Sequence, residues 1–302
     1  MRIAHLSDLH LLALEGAVPM RLFNKRATGY LNLKLKRSAK HKPFAARAAA
    51  RAIHELGVDH VVVTGDVSNL SLEREFELVR GLLDEELGLG PESISVVPGN
   101  HDAYTRGAHR SARFATMFAP YVTSDLPDLA VPGSAFPFVR LRGPAAIVGL
   151  SSAVPRPPFV ASGELGAAQL QALERVIEHP AVRQRTLVVL QHHPLHATHG
   201  VHRWLEGLVD AAAEEELLRR VPRGLVLHGH LHRRVRRALP TALGSIDVVG
   251  ATSASLLDAR AERMGGFNVY ELSDAGVITA IDSHRLDPAT ERFSAAEIPS
   301  LA

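Results

Sequence analysis

Five short clusters carry residue types that hold divalent metal ions: Asp8-Leu9-His10, Gly65-Asp66, Gly99-Asn100-His101-Asp102, His192-His193 and Gly229-His230-Leu231-His232. Asp8-x-His10 and His230-x-His232 are i, i+2 pairs. On an extended segment such pairs project to one side and can reach one ion or two neighbouring ions. Asn100 adds a neutral amide oxygen to imidazole and carboxylate donors, a set that suits a hard or borderline divalent ion. Gly65, Gly99 and Gly229 let the chain turn sharply and let an anionic group come close. The 302-residue chain has no cysteine, which removes thiolate zinc sites, iron–sulfur clusters, disulfides and a cysteine nucleophile. Metal ligands must then come from its 17 histidines and from Asp, Glu and Asn.

Each cluster follows a run with strand character. Ile3 to Leu6, Val61 to Thr64, Ile94 to Val97, Leu187 to Gln191 and Leu225 to His228 read as buried strands. In open α/β sheets the crevice beyond the carboxyl ends of the strands is where ligands bind, and all five clusters fall there. Phe44 to Leu56 and Leu72 to Leu87 read as helices closed by Gly57 and Gly88, and Ala167 to Ile177 and Val209 to Arg219 as later ones. Further strands are expected at Phe136 to Leu141 and Ala145 to Leu150. Asp247 to Thr252, Phe267 to Leu272 and Val277 to Asp282 are separated by short turns that suit antiparallel pairing. With 46% hydrophobic residues the chain can bury a full core. The expectation is an α/β fold with two sheets flanked by helices, built from βαβ units with an antiparallel C-terminal part.

Taken in order, the five clusters, with Pro194 after His193, resemble those of the calcineurin-like metallophosphoesterase superfamily, in particular its branch of class III cyclic-nucleotide phosphodiesterases and glycerophosphodiesterases. The resemblance implies a domain over residues 1–284, with a basic insertion at 16–54 and a C-terminal tail at 285–302. It also implies two divalent ions, with manganese, iron, zinc, cobalt and nickel all open. One ion would be held by Asp8, His10, Asp66 and His232, the other by Asp66, Asn100, His192 and His230, with Asp66 bridging. A hydroxide between them would attack phosphorus, with His101 serving the leaving group and Asp102 orienting His101 through a hydrogen bond. The implied substrates are phosphodiesters, with phosphomonoesters and pyrophosphates sharing the chemistry. The branch often has a second proline after His-His-Pro, where this chain has Leu195, which touches substrate contacts but not His192.

The formal charge of +2 sums opposites. Residues 16–54 hold Arg21, Lys25, Arg26, Lys34, Lys36, Arg37, Lys40, Lys42, Arg47 and Arg51 and no acid; residues 217–246 hold seven arginines and no acid. Removing those seventeen from the 34 basic residues leaves 17 against 32 acidic ones, a remainder of −15. The first stretch could dock on an anionic membrane or polyanion, since each basic residue near an anionic bilayer contributes about 1 kcal/mol. The partner is then a small-molecule or lipid phosphodiester. The Arg233 to Arg237 run raises a DNA or RNA nuclease as an alternative, against a surface face as the simpler reading. A non-catalytic metal-binding scaffold is the third class. The segment Ser151 to Gly163 with Arg156 could hold a phosphate, against a surface loop as the simpler reading, and His196, His199 and His202 could line a pocket or a solvated loop. His5, His54, His60, His179, His228 and His284 read as structural. Asp8 cuts short the apolar run that a signal peptide needs, and no apolar stretch reaches membrane-spanning length, so a cytoplasmic location, peripheral at most to the inner membrane face, is expected.

Overall fold

The computed structural model describes residues 1–12, 40–103, 112–157, 160–196 and 205–301. Among these, twelve strands form two mixed six-stranded sheets. In the first, β1 (Arg2–Leu6), β2 (His60–Thr64) and β3 (Ile94–Val97) run parallel. β2 and β3 are buried throughout, as β-branched runs covered on both faces are. The crossover from β1 to β2 ends in helix α1 (Pro43–Leu56), whose small face of Ala45, Ala46, Ala49, Ala50 and Ile53 lies in the core. Pro43 opens the helix and Gly57, at φ 61°, closes it. Helix α2 (Glu73–Glu85) links β2 to β3.

The second sheet takes β4 (Phe138–Arg142), β5 (Ala145–Gly149), β6 (Thr186–Leu190), β7 (Arg223–His228), β8 (Val235–Pro240) and β9 (Ser245–Gly250) in the order β4-β5-β6-β7-β9-β8. Its four inner strands are parallel and its two edges antiparallel. The side-chain period of two divides its work. Ile147, Val188, Leu190, Leu225 and Leu227 join a core shared with Leu6, Val63 and Val96 of the first sheet. Ala146, Val148, Val189 and Val226 join a second core with Leu173 and Val176 of α3 (Ala167–Glu178) and Leu218 of α4 (Ala211–Leu218). The chain then returns to the first sheet, where β10 (Gly266–Leu272), β11 (Ile278–Asp287) and β12 (Arg292–Ala296) extend it antiparallel beyond β1.

Three boundaries differ from the sequence expectation. Residues 43–54 of the basic segment are a core helix, and Arg47 and Arg51 on its solvent side pair with Glu86 and Glu291; residues 13–39 lie outside the described residues. Strand β11 runs through the boundary at 284 and pairs with β12, so 285–296 belongs to the sheet rather than to a tail. β8 and β12 are edge strands with exposed polar positions, so neither shows a buried run in the sequence. The arginines around β8 are not a free track. Arg236 pairs with Asp247 and Arg237 with Glu215, and Arg234 is buried.

Arg234 ties the His230-x-His232 loop to the first sheet. Its guanidinium donates to the carbonyls of Ala261, Met264, Gly265 and His284 and to Ser283 Oγ, at 2.7 to 3.3 Å. Replacing it by Met strips those carbonyls of their donors. Arg234→Met should cost about 3 kcal/mol or more in urea unfolding; a loss below about 1 kcal/mol would mean that the anchor is not needed.

Glu214 on α4 is fully buried, and burial pushes its carboxyl from an ordinary value of 4.5 up to about 8. The folded chain therefore holds a proton there that the unfolded chain releases. That contribution to stability is complete below about pH 4.5 and is lost as pH rises through about 8. Glu214→Gln should flatten this decline, so the melting temperatures of variant and wild type should diverge between pH 6 and 9 in the variant's favour, by about a few degrees.

Candidate metal centre

The loops after β1 and β2 continue the parallel pairing beyond the strands. Asp8 N donates to Gly65 O (2.9 Å), His10 N to Asp66 O (3.0 Å) and Leu11 N to Val67 O (3.1 Å). Loops of the second sheet join from across the layer. Gly229 N donates to His192 O (3.1 Å) and His230 N to Asp8 Oδ2 (3.1 Å), while His101 N donates to Asp66 Oδ1 (2.8 Å). This crowding explains the glycines. Gly65 sits at φ 87°, and a Cβ there would press on Gly99 and His192; a Cβ at Gly229 would collide with Ser7 and Asp8. They let loop approach loop, rather than an anion approach the backbone as the sequence suggests.

All seven expected ligands converge. Asp8 Oδ1 lies 3.0 Å from His232 Nε2 and 3.8 Å from His10 Nε2, and those two nitrogens are 3.2 Å apart. His192 Nε2 lies 3.4 Å from Asp66 Oδ2, 3.2 Å from Asn100 Oδ1 and 3.3 Å from His230 Nδ1. Asp66 Oδ2 is also 3.9 Å from His10 Nε2, which puts it between the two groups. Bonds of about 2.1 Å to one ion set neighbouring donors about 3.0 to 3.4 Å apart, for right and tetrahedral angles respectively. Asp8, His10, Asp66, His230 and His232 all have positive φ, between 46° and 67°. Non-glycine residues in this region cost about 1 kcal/mol or more each, so the backbone is bent to serve the side chains.

The charges fit a cation. Burial opposes ionisation of Asp66, but His192, His101 and His10 outweigh it and hold the carboxyl well below the usual range. Asp8 is likewise lowered against its own burial, by His232 foremost. His192 resists burial and is raised to about 9 by Asp66 and Asp8, whereas burial and His192 push His230 down to about 3. A cluster of two carboxylates, four imidazoles and an amide oxygen needs positive charge at its centre, and divalent ions meet that need. His192 Nδ1 bonds to Thr64 O (2.7 Å), the outer contact that fixes a ligating imidazole.

Other expectations resolve individually. His101 Nδ1 bonds to Asn69 O (2.7 Å), and its ring stands edge-on to His10 at 5.2 Å. Asp102 does not orient His101. Its buried carboxylate accepts from Gly99 N, Val67 N, Ser68 N and Ser68 Oγ, bracing the loop after β3 against the loop after β2. Burial and the Asp66 charge push it up to about 7 in spite of those donors. Arg156 donates to Ser162 O and pairs with Glu164. His193 is fixed by Ser152 Oγ and Ala161 O, and His196 stands against buried His228. His199 and His202 lie outside the described residues. His5 bonds to Thr64 Oγ1, His54 to Leu87 O and His60 to Ser95 Oγ, while His179 accepts from Ala181 N and His284 stacks on Phe267. His41, just before α1, was not legible as a site residue. It stands beside His10 and His232 at ring separations of 4.8 and 5.5 Å, and nothing in Lys40-His41-Lys42 marks it.

Residues 1–234 match the calcineurin-like phosphoesterase family. No curated protein matches the sequence. Solved structures do resemble it: a dimetal phosphatase from Danio rerio is 15% identical, with a TM-score of 0.58 over 90% of this chain and 92% of that one. A purple acid phosphatase from yellow lupin is 12% identical, with a TM-score of 0.56 over 98% of this chain but 52% of its own. A sulfate thiohydrolase from Thermus thermophilus is 17% identical, with a TM-score of 0.51, 97% and 58% covered. At these identities the likeness establishes the fold. No helix among the described residues is long and apolar enough to cross a membrane.

If Asp102 is a brace, Asp102→Asn should lower the stability of the metal-free chain by about 1 to 3 kcal/mol, because an amide cannot accept from all four donors. Calorimetry of the metal-free variant checks this; an unchanged melting temperature would restore a role at His101.

Proposed function

The chain belongs to the calcineurin-like phosphoesterase family, and we propose that within this family of metal-dependent phosphoester hydrolases it acts on phosphodiesters, of small molecules or lipids. The observation that carries the two-ion reading is Asp66 Oδ2, which faces donors of both groups, His10 and His192. Asp8, His10, Asp66 and His232 would hold one ion and Asp66, Asn100, His192 and His230 the other. When bound, such ions supply Lewis acidity toward a phosphoryl oxygen and an activated water as nucleophile. The chain's own part begins at His101. His101 Nδ1–H donates to Asn69 O, which would turn Nε2 toward the leaving oxygen; as the imidazolium, His101 would give its Nε2 proton to that oxygen and be left neutral. Asp102 keeps the loop that carries Asn100 and His101 in register.

Two features favour a diester over a monoester. The guanidinium of Arg156 is committed to Glu164 and Ser162, which suits a singly charged phosphate better than a dianion. A cavity of about 460 Å³, lined by Pro98, Asp102, Ala103, Phe114, Phe136 and Glu164 on the far side of the loop that carries Asn100, would take the second ester group of a diester. A nuclease track through 233–237 gains no support from Arg234, which is buried, or from Arg236 and Arg237, which are paired with carboxylates.

Manganese-loaded protein should hydrolyse bis(p-nitrophenyl) phosphate, and Asp66→Ala and Asn100→Ala should each lower the rate at least about 100-fold. Turnover that survives both substitutions would place the chemistry elsewhere, and none in the wild type would leave a binding scaffold. A panel of cyclic nucleotides, glycerophosphodiesters, nucleotide-diphosphate lipids and short DNA then separates the substrate classes.

A further inference from the structure

His41 reaches the cage by a route that the five ligand loops do not share. Residues Lys40 to Lys42 lie antiparallel to 255–257: Lys42 N donates to Ser255 O and Leu257 N to Lys40 O, both at 2.8 Å. This bridge fixes the backbone of His41 although the helix it precedes belongs to the first crossover. The imidazole is fixed as well. Its Nδ1 bonds to Ser255 Oγ (2.9 Å) and lies 3.3 Å from Ser253 Oγ, and Ser253 Oγ donates to the backbone carbonyl of Asp8 (2.6 Å). A hydroxyl on the outer nitrogen of an imidazole is the arrangement that orients a ligating histidine and directs its other nitrogen inward.

The spacing of the rings argues for a ligand rather than a neighbour. His10, His41 and His232 have ring centres 4.8, 5.1 and 5.5 Å apart. An ion bound to imidazole nitrogens at about 2.1 Å lies about 3.2 Å from each ring centre, so three rings at tetrahedral angles stand about 5.2 Å apart. One candidate donor atom from each of the three lies within 4.8 Å of the others.

We infer that His41 is an eighth protein ligand, completing a three-histidine face on the ion assigned to Asp8, His10, Asp66 and His232; the inference rests on the two-ion reading above. The two positions are then unequal. The first has five protein donors, three of them imidazoles, and the second has four, one an amide. Nitrogen-rich coordination favours zinc, cobalt or nickel over manganese at the first position.

The test is an optical titration of the metal-free full chain with cobalt(II), for the wild type and for His41→Ala and His41→Gln. The wild type should take up two cobalt ions. Both variants should weaken one binding step at least about tenfold and change the visible absorption that accompanies it, with the other step and the metal-free melting temperature unchanged. Two steps of unaltered affinity and spectrum in both variants would overturn the role of His41 and leave the two-ion reading standing. A wild type that binds no cobalt would overturn that reading and this inference with it.

Discussion

The side chain of Asp66 is where the two sheets meet chemically. One oxygen accepts the amide of His101, which follows the third strand, and the other faces imidazoles from the first and the sixth strands. Acceptor atoms gathered this closely repel one another, and burial deprives them of water as a remedy. The surrounding architecture answers that cost: backbone hydrogen bonds carry strand pairing past the strand ends, Asp102 and Ser253 hold loops from behind, and Arg234 anchors the last loop to the opposite sheet.

Five of the seven convergent residues occupy the left-handed backbone region. Such conformations persist where neighbouring contacts over-determine them. Each of these loops is held at its amides or carbonyls by another loop, so the strain is shared across the layer rather than stored at one residue. The cluster is thus held in place by the protein's own contacts, the preorganisation that a metal site would require.

Much of this was legible in the residue order. Strand, glycine and ligand recur together because a buried parallel strand must end in a turn at the edge where ligands bind, and that grammar is local. Asp8, His10, Asp66, Asn100, His192, His230 and His232, which the structure brings together, were picked out that way. What stayed hidden depends on partners distant in sequence. Asp102 was read with its neighbour His101, but three of the four donors to its carboxylate come from residues 67 and 68. β8 and β12 have no buried run because each is an edge. His41 sits in a basic stretch with no local mark, and its place is set by contacts with Ser253 and Ser255, more than 200 residues on.

The position of β1 has a consequence for how the molecule comes into being. The strand lies between β2 and β10, and its pairing with β10 joins Ile3 to Tyr270 and Ala4 to Val269. During synthesis from the N-terminus, the strand that delivers Asp8 and His10 must wait with one edge open until residues beyond 266 have emerged. Contacts of such long sequence separation form slowly. A chain cut short before β10 would expose an unpaired edge of β1 beside Asp8 and His10.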